Sequence, residues 1–594
     1  GDHRDLHSFP TRRSSDLGTV RLWDTEDPGL YAVKTELLRA GRLVDESVTR
    51  VGFRKAEFCA DGFYLNGKKT RLLGLNRHQS WPYIGYAAPR SLQRLDAEIL
   101  KNELGLNAVR TSHYPQSQHF IDRCDELGLM VFTEIPGWQH IGGGAWKKQA
   151  VRNTEEMVLQ YRNHPSVILW GVRINESVDD DALYAETNAA AHRLDPTRQT
   201  GGVRYLKKSR LLEDVYTYND FLHDGKAPGC EKKKNVTPDM EKGYLVSEYG
   251  GHMFPTKTFD PEDHRLEHAL RHANVLDAVA AEEDIAGSFG WCMADYNTHR
   301  DFGSGDRICY HGVLDMFRNK KPAADVYAAG QDETPVLSVS SSMDIGEHPG
   351  GNPGRVYMFT NADSVRFYRN GVFIREYTHG ESEYRHLKNP PIEITDYVGS
   401  RVAENEPFTP RQAALVTELI NHSARFGSAR MPLGLMLKAG WLMLRYRMSY
   451  ADAYRLYGKY IGDWGASAKV YTLEAVKDGE VVKTVVKTPV SGIELAAEAD
   501  HTALREGDTY DAALIRIRMT DTHGNTLPFY TGSVRLAAEG PIRIIGPDAA
   551  TLRGGMGGTF VRTVGKSGAA ALTLIPERGG PVRIGFTVEA EEDA

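Results

Sequence analysis

From Arg71 to about residue 330, short apolar runs alternate with amphipathic stretches of helical period. The runs are RLLGLNRH, LNAVRTSHY, LMVFTEIP, SVILWGVRINE, residues 199–204, EDVYTYN, YLVSEYGG and IAGSFGWCMADY. Helical segments over 91–104, 117–127, 149–162, 181–193 and 262–281 fall between them. Eight strands, most followed by a helix, over about 260 residues predict a (β/α)8 TIM barrel, although the periodicity alone also permits a doubly wound sheet. Outside this span the period changes to two. Gly18 to Arg54 reads as a few strands, too few to close a sandwich, and Phe58 to Leu73 as a hairpin with turns at Asp61-Gly62 and Asn66-Gly67. Past Gln331 the pattern predicts a β-sandwich over 331–488, with a tight turn at Asn370-Gly371 and a helical insert at about 409–460. A further sandwich follows over 489–594. The predicted fold class is multidomain, α/β plus all-β, with the barrel over 55–330.

Composition narrows the function. With 41% hydrophobic and 25% charged residues among 594, the chain can bury large cores, which excludes wholesale disorder. A net charge of −7 without a basic stripe excludes a nucleic-acid partner. Five cysteines with no C-x-x-C pair exclude a disulfide framework and a structural zinc site. The longest apolar stretch, Met431 to Leu444, is broken by Lys438 and falls short of the ~20 residues of a spanning helix, so no membrane partner is expected. Residues 1–17 have no apolar core of a signal peptide and resemble a translated sequencing adapter in HRDLHSFPTRRSSDL. They are expected to be a non-native tail, with the biological frame starting near Gly18.

Catalytic groups of a barrel gather at the C-terminal ends of its strands. The fourth run ends in Arg173-Ile174-Asn175-Glu176 and the seventh in Ser247-Glu248-Tyr249-Gly250. A lone Glu at a strand end is ordinarily solvated or ion-paired. Two on one mouth are what glycoside cleavage requires: an acid for the leaving oxygen and a carboxylate for the anomeric carbon.

Around these residues lie Gly52-Phe53-Arg54, Asn66-Gly67-Lys68, Gly74-Leu75-Asn76-Arg77-His78 and Asn107 to Pro115. Cys124 to Leu129, Arg162 to Val167, and Trp291 with Asp295-Tyr296 follow. In this order they resemble glycoside hydrolase family 2, the family of β-galactosidases and β-glucuronidases. The resemblance runs from about residue 18 to 330 and implies immunoglobulin-like sandwiches around the barrel, with 18–54 the remnant of one. It also implies a jelly-roll domain ahead of that remnant, which the chain is expected to have lost. Glu176 is then the general acid/base and Glu248 the nucleophile, with pKa values pushed apart so that Glu248 is ionised and Glu176 protonated. His78, His113, Asn175 and Trp291 are implied to bind the sugar; Arg110, Tyr218 and Asp295 to support the site. Tyr296, His252 and Trp138 are weaker rim candidates. The activity implied is a retaining exo-β-glycosidase on terminal β-galactose. β-Glucuronidase, galacturonidase, mannosidase or a non-catalytic carbohydrate-binding protein are the alternatives.

Three departures carry weight. The family's Glu-x-His magnesium pair has Trp138 in the carboxylate position of Glu134 to His140, so no catalytic metal or other cofactor is expected. Asn319-Lys320-Lys321 matches the Asn-x-Lys pattern that holds an acidic sugar, yet lies too late and reads as a decoy on a solvated turn; Arg300 and Arg307 keep an acidic sugar open. The nucleophile's tyrosine has no clean match, Tyr216 and Tyr218 being equal on sequence. A bacterial cytoplasmic location is expected, with export and a homo-oligomer left open.

Overall fold

The computed structural model describes residues 20–225, 228–299, 305–344, 346, 351–462, 469–489 and 492–590. The adapter-like tail lies outside them, as does Arg300. Eight parallel strands close into a barrel: β1 (Leu72–Arg77), β2 (Ala108–Thr111), β3 (Met130–Glu134), β4 (Val167–Gly171), β5 (Gln199–Arg204), β6 (Val215–Asp220), β7 (Gly243–Tyr249) and β8 (Gly287–Gly290). Closure removes the doubly wound alternative. Parallel strands covered on both faces read as continuous rather than alternating apolar runs, and all five residues of both β3 and β4 are buried. Gly171 is required by packing: a Cβ there would stand 2.3 Å from the Cβ of Glu134 on the neighbouring strand.

Helices α1 (Arg90–Glu98), α2 (Gln118–Leu127), α3 (Gly144–Tyr161) and α4 (Asp181–Leu194) follow the first four strands. Gly128, at φ +70°, ends α2 in the left-handed conformation. No helix follows β5. A single turn, α5 (Lys233–Val236), follows β6, and α6 (Glu262–Ala281) and α7 (Pro322–Ala328) complete the ring.

A three-stranded meander over 56–69 plugs the N-terminal end of the barrel. Phe58, Phe63 and Leu65 join Leu72, Met130, Leu169 and Phe289 in the interior core. Ahead of it, Tyr31–Arg39 and Arg42–Val51 form an exposed two-stranded ribbon. Beyond α7 a three-stranded and a four-stranded sheet share one core with helices α8 (Arg401–Asn405), α9 (Pro410–Phe426), α10 (Leu433–Tyr446) and α11 (Tyr450–Tyr457). The last sandwich pairs a four-stranded with a five-stranded sheet. It is fastened to the barrel by Arg516 on Glu103, by Ser91 Oγ donating to the Ala512 carbonyl, and by Trp81 and Phe317 against Phe560. Among the described residues, none from either sandwich lines the cavity at the C-terminal mouth of the barrel.

Candidate active site

The open mouth holds a cavity of about 560 Å³ lined by both glutamates and by His78, His113, Trp291 and Tyr296, among others. Glu248 comes from the end of β7. Glu176 stands five residues beyond β4, at φ +53°. A non-glycine residue in the left-handed region stores backbone strain, and such residues gather where function demands a fixed side-chain direction.

Asn219, at the end of β6, ties the pair together. Its Nδ2 donates to Glu176 Oε1 at 3.0 Å and to Glu248 Oε2 at 3.2 Å. Sharing one donor, the two acceptor oxygens lie no farther apart than about 6 Å. The other oxygen of Glu176 accepts from Trp138 Nε1 at 3.0 Å and Gln139 Nε2 at 3.3 Å.

Arg110 is the hub beneath the mouth. Its fully buried guanidinium donates to Glu248 Oε2 at 3.2 Å, to Asn76 Oδ1 at 2.8 Å and to Asn175 Oδ1 at 2.8 Å, and forks onto both oxygens of Glu134. Asn175 Oδ1 also accepts from Asn219. With its oxygen so occupied, the amide orientation is fixed.

Burial pushes the Glu248 carboxyl up to about 8. The Arg110 charge pulls it back, and the Glu176 and Glu134 charges add to the rise. The sequence leads one to expect an ionised Glu248; burial of its carboxyl works against that form and the Arg110 charge works for it. Burial also holds His78 well below the usual histidine range, and lowers His113 despite its 2.9 Å contact with Glu134, so both present neutral imidazoles near neutrality. Trp291 lies parallel to His113, with ring centres 5.2 Å apart, and edge-on to His78 and Tyr296.

Glu176, Glu248, His78, His113, Asn175 and Trp291 therefore meet at one cavity, with Arg110 directly behind it. Two supporting residues do not join them. Tyr218 is buried with Tyr216 in the layer between barrel and helices, because successive strand residues alternate faces and it is Asn219, on the opposite face, that reaches the glutamates. Tyr216 is no substitute: its hydroxyl donates to the Leu206 carbonyl. Asp295 is buried behind the wall, where it accepts from Lys321 Nζ at 2.7 Å and from the Gly312 amide.

Lys321 and Asn319 are themselves buried, so the solvated turn expected for them is incorrect. They face Asp295, the Thr256 carbonyl, Asp315 and the Gly557 carbonyl, not the cavity. Arg307 is exposed, and the side chain of His252 lies outside those described. Sequence reasoning missed Asn219, Gln139 and Phe221, the last of which lines the cavity. Asn219 closes an apolar run as both glutamates do, so the strand-end rule would have found it had it not been searched for a tyrosine.

The residues beside Glu176 do not suit a hard cation. Glu134 is taken by Arg110 and His113, Trp138 offers only an N–H, and His140 stands edge-on to Trp146. Among the described residues, the cluster with metal-ligand spacing is Asp122, Asp125 and His164, at the N-terminal end of the barrel. There Asp122 pairs with Arg50, and Asp125 accepts from the Ser166 amide.

The model of glycosyl hydrolases family 2, TIM barrel domain, matches residues 57–334, and that of glycosyl hydrolases family 2 matches residues 5–54. A β-galactosidase of Thermoanaerobacterium thermosulfurigenes is 43% identical over 558 residues, covering 93% of this chain and 69% of the relative. One of Thermoanaerobacter pseudethanolicus is 37% identical, covering 93% and 66%. The chain thus spans about two thirds of the length of these relatives. Among solved structures, a β-glycosidase from Bacteroides vulgatus superposes with a TM-score of 0.70 at 18% identity, covering 96% of this chain and 71% of that one.

Proposed function

The chain belongs to glycoside hydrolase family 2, and from that premise we propose that it is a retaining exo-β-glycosidase acting on terminal non-reducing β-D-galactose. The observation that supports the reading is Asn219 donating to both Glu176 and Glu248, which keeps the two carboxylates beside each other at one mouth, as a double displacement requires. Glu248 attacks the anomeric carbon while Glu176 protonates the departing oxygen. Glu176 then takes a proton from the water that releases the sugar, so two inversions give net retention. The Asn175 amide N–H₂, its oxygen already engaged, is the group left to meet the sugar 2-hydroxyl. Trp291 offers an apolar face to the ring.

Galactose is favoured over a uronic acid by charge. Among the described residues the cavity lining carries no Lys or Arg, and His78 and His113 are neutral there. A sugar carboxylate would meet no Lys or Arg in the described lining, and a buried charge without a counter-charge is costly. A panel of nitrophenyl β-glycosides tests this. Galactoside should be turned over best, and glucuronide and galacturonide at about 10²-fold or more below it. Preference for a uronide or mannoside would overturn the sugar assignment. Binding without turnover of any would favour the non-catalytic reading.

Burial raises Glu248 to about 8 and the neighbouring Glu176 charge adds to the rise, so the two carboxyls titrate as a coupled pair. The working form holds one proton and persists below that point. kcat/KM should therefore hold through neutrality and fall as pH climbs past about 8. A pH–rate profile whose alkaline limb begins near pH 6 would contradict this coupling.

A further inference from the structure

The helical insert carries an unpartnered face that the catalytic reading does not use. Helix α10, of sequence LGLMLKAGWLMLRY, fully buries only Leu442 against its neighbours. On the opposite side Leu433, Met436, Leu437, Gly440, Met443 and Leu444 recur at three- and four-residue steps and so form one stripe. Leu433, Leu437 and Leu444 are 72%, 68% and 85% exposed. Tyr450 and Tyr454 of α11 extend the stripe at 77% and 74% exposure. A cavity of about 400 Å³ lined by Met431, Met443, Met448, Tyr450 and Tyr454 opens between the helices. Continuous exposed apolar faces of this kind mark contact surfaces.

Charge selects the occupant. Residues 410–460 hold eight Lys and Arg against Glu418 and Asp452 in a chain whose total is −7, and although Arg425, Arg455 and Lys459 pair with Glu393 and Glu406 outside the insert, it stays net positive. Among the described residues Arg430, Arg445 and Arg447 are exposed and form no ion pair. A second copy meeting this face by two-fold symmetry would set two net-positive inserts together, with Arg430, Arg445 and Arg447 of each unpaired. It would also have only a strip ~21 Å long, the length of α10, to bury. We propose that α10 and α11 dock on an anionic lipid surface, the Leu/Met stripe and the two tyrosines entering the headgroup boundary and the arginines lying among the lipid phosphates. The contact is with the surface: no helix among the described residues is long and apolar enough to cross a membrane.

The test is co-sedimentation of the chain with phosphatidylglycerol-containing vesicles and with pure phosphatidylcholine vesicles. Binding to the former, weak binding to the latter and release by high salt are expected. Leu437→Glu with Leu444→Glu, and separately Arg430→Glu with Arg447→Glu, should each weaken anionic-vesicle binding by about tenfold or more. Melting temperature and glycoside turnover should stay unchanged, since these side chains are exposed and outside the catalytic cavity. No binding to anionic vesicles, equal binding to neutral ones, or wild-type binding by both double variants would overturn the proposal. Loss of a dimer in sedimentation by L437E/L444E, with no vesicle binding by the parent chain, would assign the face to a second copy instead.

Discussion

Glu248→Ala is expected to lower kcat/KM for a nitrophenyl β-galactoside on the order of 10⁴-fold or more, the scale on which loss of a covalent nucleophile is felt. Glu176→Ala should cost less, about 10²–10⁴-fold, and its loss should depend on the leaving group. A dinitrophenolate needs no proton to depart, so Glu176→Ala should still form the glycosyl-enzyme and stall at its hydrolysis. A burst of one dinitrophenolate per site is the expected trace. Added azide sharpens the distinction, because it needs no general base. In Glu176→Ala it should attack the covalent intermediate and give the β-glycosyl azide. In Glu248→Ala it should enter the space left by the carboxylate, attack the substrate directly and give the α-azide. Identical products from the two variants would remove the double displacement.

The barrel was legible because buried parallel strands write continuous apolar runs, and eight of them interleaved with helical periods leave little choice. The two glutamates were legible because each terminates such a run. What sequence could not show was depth and direction. Tyr218 and Asn219 are neighbours on β6 and so face opposite sides of the barrel wall, but only the folded chain shows which side holds the glutamates. Asp295 and Lys321 are 26 residues apart, and only the folded chain shows that each is the other's buried partner rather than part of a sugar site. The rise at Glu248 has the same origin. Its raised carboxyl comes from burial, and whether a strand-end Glu lies above or beneath its partner is a property of the closed barrel.

Arg110→Met is expected to damage stability and catalysis together. The guanidinium is fully buried against Glu134, which is equally buried, and Glu248, whose side chain is 8% exposed. Removing it leaves two carboxylates without their counter-charge, a change that costs about 3–5 kcal/mol when one partner of a buried pair is deleted. For a barrel of this size that loss lowers the melting temperature on the order of 10 °C. Asn76 and Asn175 lose a donor in the same stroke. With the Arg110 attraction gone, burial and the neighbouring charges act on Glu248 unopposed, so its carboxyl rises above about 8 and the anion becomes scarcer at neutral pH. The alkaline limb of kcat/KM should then move to higher pH while its plateau falls. A merely structural role would lower the melting point without moving that limb. Arg110→Lys separates the effects further: it keeps the charge but cannot reproduce the fork that meets Glu134, Glu248 and Asn175 at once. It should restore the position of the limb more fully than the height of the plateau. Wild-type melting and an unshifted pH profile in Arg110→Met would show that the carboxylates are held by something other than this arginine.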